Sequence, residues 1–193
     1  MNLPNSITFG RLILTAIFVV CASWGGTAGL TVALVVFVLA TISDWLDGYL
    51  ARKLNLVTSL GKLMDPLADK ILVASAFVFF TSVGLCPVWI TTVIIGREFL
   101  VTGLRQIAIE KGEVMSADKL GKWKTTLQLA FGITCLIWLI LESSGPHSGF
   151  GEFLMSLSSP DSWLYLGFLW GALALTLLSG LNYLKKSWNL LLD

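Results

Sequence analysis

The sequence has 193 residues and a formal net charge of +1; 55% of its residues are hydrophobic and only 13% are charged. Soluble domains usually carry about 25% charged residues, and the apolar residues here come in long blocks, with a mean hydropathy of +0.82. These values exclude an ordinary soluble domain and predict an integral membrane protein in which residues 1–193 form one membrane domain.

Six apolar blocks predict an all-α protein with six transmembrane helices. The length of each block is close to the length that a helix needs to cross the hydrocarbon core, which is about 20 residues. Pro4 followed by Asn5 resembles a helix start, with Asn5 as the cap, within a short, polar, N-terminal juxtamembrane segment. Near-helical spacing of apolar side chains predicts a short interfacial helix over 149–159. The six blocks cover approximately 12–24, 28–43, 62–83, 87–109, 120–141 and 163–184.

Charge placement predicts the orientation of these helices. With six spans, all thirteen Lys and Arg residues lie near the side that holds both termini. The loops on the other side carry only the acidic residues Glu142, Glu152 and Asp161. The positive-inside rule therefore places both termini and the basic face in the cytoplasm. Because topology accounts for the basic residues, no nucleic-acid partner is indicated.

Four aspartates mark the ends of the second and third predicted helices, which meet at the cytoplasmic face. Asp44 and Asp47 are three residues apart, and Asp65 and Asp69 are four apart, so each pair shares one helix face. Carboxylates at the edge of a lipid-compatible helix need a compensating partner. Ligands that offer only oxygen suit Mg²⁺ or Mn²⁺. Four carboxylates predict two such ions.

Three interpretations of the aspartates remain open at this point. Paired metals beside Arg52 and Lys62 would make a site for a pyrophosphate or a phosphodiester. The carboxylates could instead form the ion pathway of a cation-coupled transporter, although they cluster near one membrane face rather than at the midplane. They could also form salt bridges with Arg52, Arg97 or Arg105 that only hold the helices together.

A longer pattern of fixed residues contains these aspartates and resembles the CDP-alcohol phosphatidyltransferase family. The pattern is D-x2-D-G-x2-A-R-x8-G-x3-D-x3-D, and it is complete here at Asp44, Asp47, Gly48, Ala51, Arg52, Gly61, Asp65 and Asp69. The resemblance implies that an alcohol cleaves the pyrophosphate of a CDP-linked lipid and releases CMP. It also implies a six-helix homodimer in the membrane.

The same resemblance implies a role for each motif residue. Asp44, Asp47 and Asp65 would hold the metal ions, and Asp69 would also face the ions and take the proton of the acceptor hydroxyl. The pocket for the CDP-lipid would comprise the two aspartates of the second helix and four further positions, namely Asp44, Asp47, Gly48, Ala51, Arg52 and Gly61.

Basic residues on other helices indicate the acceptor. Arg97 and Arg105 lie eight residues apart on about one face of the fourth span, and buried arginines need an anion; Glu98 is a candidate partner for one of them. An acceptor that carries its own phosphate would need such a pocket. The predicted phosphate-binding residues are Thr8, Arg11, Arg97, Arg105, Lys122 and Lys124.

Segments 3–11, 96–98 and 121–126 make the chain similar to the bacterial members of the family that use glycerol 3-phosphate. That similarity implies CDP-diacylglycerol and glycerol 3-phosphate as substrates, and a location in the bacterial cytoplasmic membrane with the active site facing the cytoplasm. Relatives that use inositol phosphate have the same motif and also need a phosphate pocket, so that acceptor remains the alternative.

Overall fold

Each predicted span forms a helix, as expected for segments whose backbone groups cannot hydrogen-bond to lipid. The computed structural model describes the backbone of residues 3–54, 59–113 and 119–192, and the side chains of residues 9–43, 70–113 and 120–187. Within these residues there is no strand. The helices are α1 (Leu3–Trp24), α2 (Gly26–Leu54), α3 (Ser59–Ser82), α4 (Val88–Glu110), α5 (Lys119–Ser144), α6 (Phe150–Ser158) and α7 (Trp163–Leu192).

The long helices have the length and apolar composition of an integral membrane protein. Three stretches of the described chain meet the requirements of a membrane span, namely Gly26–Ser43, Leu120–Ser144 and Phe150–Ser187, the last of which joins α6 to α7. Phe9–Trp24 and Lys70–Ser82 are shorter apolar helices, and α4 is apolar around its charged residues. Six long helices therefore fit the six predicted spans, while the sidedness of the termini stays a prediction.

The N-terminal segment is helical and continuous with the first helix, and its start lies close to the predicted one. Helix α1 begins at Leu3, so Asn5 lies inside the helix instead of capping it. Pro4 is tolerated in the first turn since the backbone N–H that proline lacks would have no intrahelical partner there. The polar residues up to Arg11 are thus the first turns of α1.

The second helix is longer than predicted, which changes the setting of the motif. The sequence predicts that Asp44 and Asp47 end this helix, but α2 continues to Leu54. Residues 49–54 contain no proline and are mostly strong helix formers, so the helix continues past the apolar block. Gly48 consequently lies inside α2 and Gly61 lies in the first turn of α3; the connection between the two helices contains neither.

A short turn of two glycines joins the first two helices. Gly25 and Gly26 both have positive φ angles, of 70° and 66°, which only glycine adopts at little cost, and they reverse the chain between α1 and α2. We call the end of the bundle where α2 ends and α3 begins the motif end, and the other end the distal end. Helix α1 packs against α2 and α3, α5 packs against α2 and α7, and α4 packs mainly against α7.

The distal half of the bundle holds an aromatic core. Its largest members are almost completely buried, and their ring centroids lie 5.1–6.3 Å apart in tilted, stacked and edge-on pairs, which are favourable geometries for aromatic rings. Tyr165 belongs to this core and donates its hydroxyl proton to the carbonyl of Leu85. The core phenylalanines are Phe18, Phe37, Phe77, Phe80 and Phe131.

The motif half of the bundle contains most of the buried polar side chains that the structure describes, beside a small apolar cluster of Val101, Leu104 and Tyr183. These polar side chains come from α1, α5 and α7, and they are Arg11, Thr15, Lys124, Gln128, Thr176, Ser179 and Ser187. Burying a polar group is costly unless it is hydrogen-bonded, and such groups concentrated in one half of a membrane protein point to a site. The bundle is thus divided into an apolar distal half and a polar half next to the motif.

The predicted short helix over 149–159 is present as α6, Phe150–Ser158. Phe150 and Phe153 are exposed, and the His147 imidazole Nε2 lies 2.8 Å from the carbonyl oxygen of Leu141, which connects this segment to α5. The location of α6 at the membrane interface stays a prediction.

Removing the centre of the aromatic core should destabilise the protein without touching the polar half. Phe131 is 0% exposed and stacks on Phe77; we expect Phe131→Ala to lower the free energy of unfolding by about 2–3 kcal/mol, mainly through the cavity it leaves. Denaturant or thermal unfolding in detergent measures this loss. The lipid-facing Leu178, 55% exposed, is the control: if Leu178→Ala costs as much as Phe131→Ala, the assignment of the core is wrong.

Candidate active site

The motif aspartates lie on two helices at a similar depth from the motif end. Asp47 is seven residues before the end of α2 and Asp65 is six residues after the start of α3, so both lie about 10 Å along the helix axis from those ends. Spacings of three and four residues keep Asp44 with Asp47, and Asp65 with Asp69, on one side of each helix. The backbone therefore allows the four positions to serve one site.

The side chains of the four motif aspartates lie outside the described residues, and so do those of Ala51, Arg52 and the predicted phosphate ligand Thr8; for Gly48 and Gly61 only the backbone is described. Among the side chains that the structure describes, no group of three or more His, Cys, Asp or Glu residues could hold a metal ion. The two-metal site accordingly stays a prediction. Its donor set, four carboxylates without His or Cys, fits a hard divalent cation such as Mg²⁺.

A buried ion cluster on α4 and α5 adjoins this region. Lys124 donates a hydrogen bond to Oε1 of Glu98, and Arg97 donates to the same oxygen from Nη1 at 3.1 Å. The three side chains are between 3% and 16% exposed. The predicted pairing of Glu98 with an arginine is confirmed for Arg97. The second partner of Glu98 is Lys124, which lies 26 residues after Glu98 in the chain.

Helix α7 supplies the other contacts of the arginines. Arg97 donates from Nη2 to the hydroxyl of Ser179, and Arg105 donates from Nη2 to the hydroxyl of Tyr183 at 2.5 Å. Both arginines therefore face α7, which agrees with their predicted location on one face of α4. Deeper in the same groove, Gln128 of α5 donates to the hydroxyl of Thr176 at 3.3 Å.

The two arginines retain unused hydrogen-bonding capacity. In the described part of the chain, the buried Nε–H groups of Arg97 and Arg105 have no acceptor. A buried donor without a partner costs about 1–3 kcal/mol. Among the described side chains, Glu98 is the one carboxylate in contact with Arg97 and Lys124, while Arg105 contacts a neutral hydroxyl. The cluster thus has an excess of positive charge and spare donors, as a site for an anion requires.

The remaining predicted phosphate ligands divide into buried and exposed residues. Arg11, on α1, is 3% exposed, and Thr15 one turn later donates to its backbone carbonyl at 2.9 Å. Lys122 is exposed on α5 and points away from the cluster that contains Lys124, because residues two apart on a helix do not share a face. The structure therefore brings together Arg97, Arg105 and Lys124, and it leaves out Lys122.

Lys70 lies on α3 directly after Asp69. Its charge interacts with that of Lys124 in the ion cluster. The cluster thus adjoins the motif segment of α3.

The polar side of α7 was not predicted from the sequence. Within an apolar helix, Thr176, Ser179, Tyr183 and Ser187 follow one another at intervals of three or four residues and are all buried. That period marks a single helix face. The spacing is visible in the sequence and could have indicated that α7 contributes to the site.

Comparison with known proteins gives a consistent result. The family model described as CDP-alcohol phosphatidyltransferase matches residues 1–178. A protein of Bacillus subtilis named CDP-diacylglycerol–glycerol-3-phosphate 3-phosphatidyltransferase is 39% identical, over 98% of this chain and 97% of its own length. Proteins with that name from Arabidopsis thaliana and Rickettsia felis are each 34% identical, over 100% and 95% of this chain and 82% and 94% of their own lengths.

The shared carboxylate of the ion cluster yields a stability prediction. Glu98→Gln leaves two buried cations without their counter-charge, so we expect the free energy of unfolding to fall by about 3 kcal/mol. Adding Lys124→Met should recover much of this loss, because one of the stranded charges is then removed. Thermal unfolding in detergent measures both, with Glu110→Gln as the control on the exposed end of α4. Strictly additive effects of Glu98→Gln and Lys124→Met would contradict the ion pair.

Proposed function

Because the chain belongs to the CDP-alcohol phosphatidyltransferase family, we propose that it transfers the phosphatidyl group of CDP-diacylglycerol to glycerol 3-phosphate. The products are phosphatidylglycerophosphate and CMP, and residues 1–193 act as one catalytic domain. The observation that carries the choice of acceptor is the cation cluster formed by the buried Lys124 and the half-buried Arg97 and Arg105. The names of the similar proteins support the same reaction.

A phosphate on the acceptor accounts for the charge of this cluster. Glu98 offsets part of the positive charge of Arg97 and Lys124, and the Nε–H groups of Arg97 and Arg105 are spare donors. A phosphate would compensate the excess charge and accept charge-assisted hydrogen bonds from both guanidinium groups. A neutral acceptor, such as serine or free inositol, would leave those charges buried and uncompensated. Arg11 is a further candidate for this pocket.

Members of the family generally use a divalent metal ion, and the motif has a donor set that suits one. We assign Asp44, Asp47, Asp65 and Asp69 to two Mg²⁺ or Mn²⁺ ions. When bound, such ions neutralise the charge of the pyrophosphate. Gly48, Ala51 and Arg52 of α2, with Gly61 of α3, then form the pocket for the CDP-lipid.

Asp69 acts as the base in this proposal. It accepts the proton of the glycerol 3-phosphate hydroxyl while that oxygen forms a bond to the phosphorus that carries diacylglycerol. The bond from this phosphorus to the phosphate oxygen of CMP breaks, and CMP leaves. A carboxylate near cations is a weak base, so the acceptor must be held in place while the proton moves. The cation cluster provides that hold through the acceptor's phosphate.

The proposal includes location and assembly. The basic residues gather at the motif end, and two of the similar proteins are bacterial. The positive-inside rule then places the motif end at the cytoplasmic face of a bacterial inner membrane, where the water-soluble acceptor is available. The homodimer implied by the family resemblance is part of this proposal. The cation-coupled transporter is set aside by membership of a transferase family.

A comparison of acceptors tests the function. Purified protein with CDP-diacylglycerol and Mg²⁺ should release CMP rapidly with glycerol 3-phosphate and at most slowly with inositol phosphate, serine or inositol. Asp69→Asn should fold and insert normally, yet lose at least about 100-fold in turnover, since the base is removed. Faster release with inositol phosphate would reassign the acceptor, and normal turnover by Asp69→Asn would refute the assignment of the base.

The acceptor pocket has a separate kinetic signature. Arg105→Ala should raise the KM for glycerol 3-phosphate by about 10- to 100-fold, the effect of losing a hydrogen bond between charged groups, and change the KM for CDP-diacylglycerol far less. Steady-state CMP release with each substrate varied in turn measures both constants. Equal changes in the two constants would show that Arg105 does not bind the acceptor.

A further inference from the structure

Tyr183, on α7, contacts both of the arginines assigned to the acceptor. The side chain is 3% exposed. The guanidinium carbon of Arg105 lies 5.2 Å from the centroid of the tyrosine ring, and that of Arg97 lies 5.6 Å from it. The two arginines are eight residues apart on α4, so one aromatic side chain of a different helix links two turns of α4.

The two contacts are of different kinds. Arg105 donates from Nη2 to the tyrosine hydroxyl at 2.5 Å, which places its guanidinium group at the hydroxyl end of the ring and fixes one nitrogen by a charge-assisted hydrogen bond. Arg97 instead donates its Nη1 and Nη2 protons to Glu98 and Ser179. Its attraction to Tyr183 comes from the ring, which attracts a cation within about 6 Å of its centroid.

The backbone of α7 is also fitted to Arg97. A Cβ atom at Gly180 would lie 3.2 Å from Cγ of Arg97, so the absence of a side chain there lets the aliphatic part of the arginine lie against the helix. Ser179 and Tyr183 are four residues apart and share a face of α7. This short stretch therefore holds the Arg97 side chain at its stem and at its terminal nitrogens.

Holding two guanidinium groups near one ring has an electrostatic cost. Like charges repel more strongly inside a protein than in water. The distance between the two guanidinium carbons cannot exceed the sum of their distances from the ring centroid, so the two charges are close. The electron-rich ring face and the hydroxyl oxygen lower this repulsion. A phosphate would lower it further, and the spare Nε–H groups of both arginines remain available for it.

We propose that Tyr183 is a positioning residue for the acceptor: it orients Arg97 and Arg105 so that both guanidinium groups bind the phosphate of one acceptor molecule. The tyrosine acts through the arginines and takes no part in the transfer of the phosphatidyl group. This inference rests on the proposed function, since it concerns the acceptor subsite of that reaction. It adds α7 to the elements that select a phosphorylated acceptor.

Substitution of Tyr183 by phenylalanine separates the hydroxyl from the ring. Tyr183→Phe keeps the ring beside Arg97 and removes the acceptor of the Arg105 hydrogen bond; we expect the KM for glycerol 3-phosphate to rise about tenfold. The kcat and the KM for CDP-diacylglycerol should stay within about twofold of the wild-type values. Tyr183→Leu removes both contacts and should raise the KM for glycerol 3-phosphate further.

Tyr165 provides a matched control on the same helix. It is also 3% exposed and also uses its hydroxyl in a buried hydrogen bond, to the carbonyl of Leu85 at the distal end. Tyr165→Phe should lower the thermal unfolding temperature and leave the KM for glycerol 3-phosphate unchanged. A purely structural role for Tyr183 would make Tyr183→Phe behave as Tyr165→Phe does.

The outcomes distinguish this inference from the function on which it rests. If the wild-type protein uses glycerol 3-phosphate but Tyr183→Phe leaves the KM for glycerol 3-phosphate unchanged, or changes the constants of both substrates equally, the positioning role is overturned and the function stands. If the wild-type protein releases no CMP with any phosphorylated acceptor, both are overturned. If Tyr183→Leu fails to fold, Tyr183→Phe alone decides, because it preserves the shape of the side chain.

Discussion

Charges buried within a membrane bundle must be compensated where they lie, because neither lipid nor an apolar core can solvate them. In the described part of this protein, Glu98 meets that requirement only in part, because its one negative charge is shared by Arg97 and Lys124. Among the described side chains, Arg105 contacts the hydroxyl group and the ring of Tyr183, neither of which carries a charge. The described part of the cluster therefore carries an excess of positive charge. In the function we propose, the phosphate of the acceptor offsets that excess.

The apolar distal half makes such an arrangement stable. The aromatic core fixes α1, α2, α3, α5 and α7 against one another through tightly packed rings, and a densely packed core leaves little room for the helices to shift. In the motif half, Thr15, Thr176 and Ser187 satisfy their own hydroxyl groups by donating to carbonyls four residues earlier. Their hydroxyl protons are therefore satisfied within their own helices, and the charged side chains make contacts between helices.

The two substrates are recognised by different parts of the bundle in the function we propose. The motif on α2 and α3 provides the reaction, and side chains of α4, α5 and α7 hold the acceptor. This separation gives a physical reason why one motif can serve enzymes with different acceptors, since changes on α4 or α7 leave the reacting groups in place. Lys70, next to Asp69 on α3 and within electrostatic range of Lys124, lies where the two parts meet.

The sequence by itself determined the helices and the reaction motif. Apolar blocks of sufficient length must become helices in lipid because their backbone groups have no other partners, and the eight motif positions are fixed by their spacing alone. The extension of α2 to Leu54 was not predicted, because the predicted helix ended with its apolar block. The residues after that block are helix-forming, so the helix continues. Only the tertiary structure decided that Glu98 pairs with Lys124, 26 residues away, and that Tyr183 meets Arg105, 78 residues away. Those contacts depend on the depth and rotation of one helix against another. Side-chain packing between the helices sets both quantities, and the residue pattern of a single helix does not predict them.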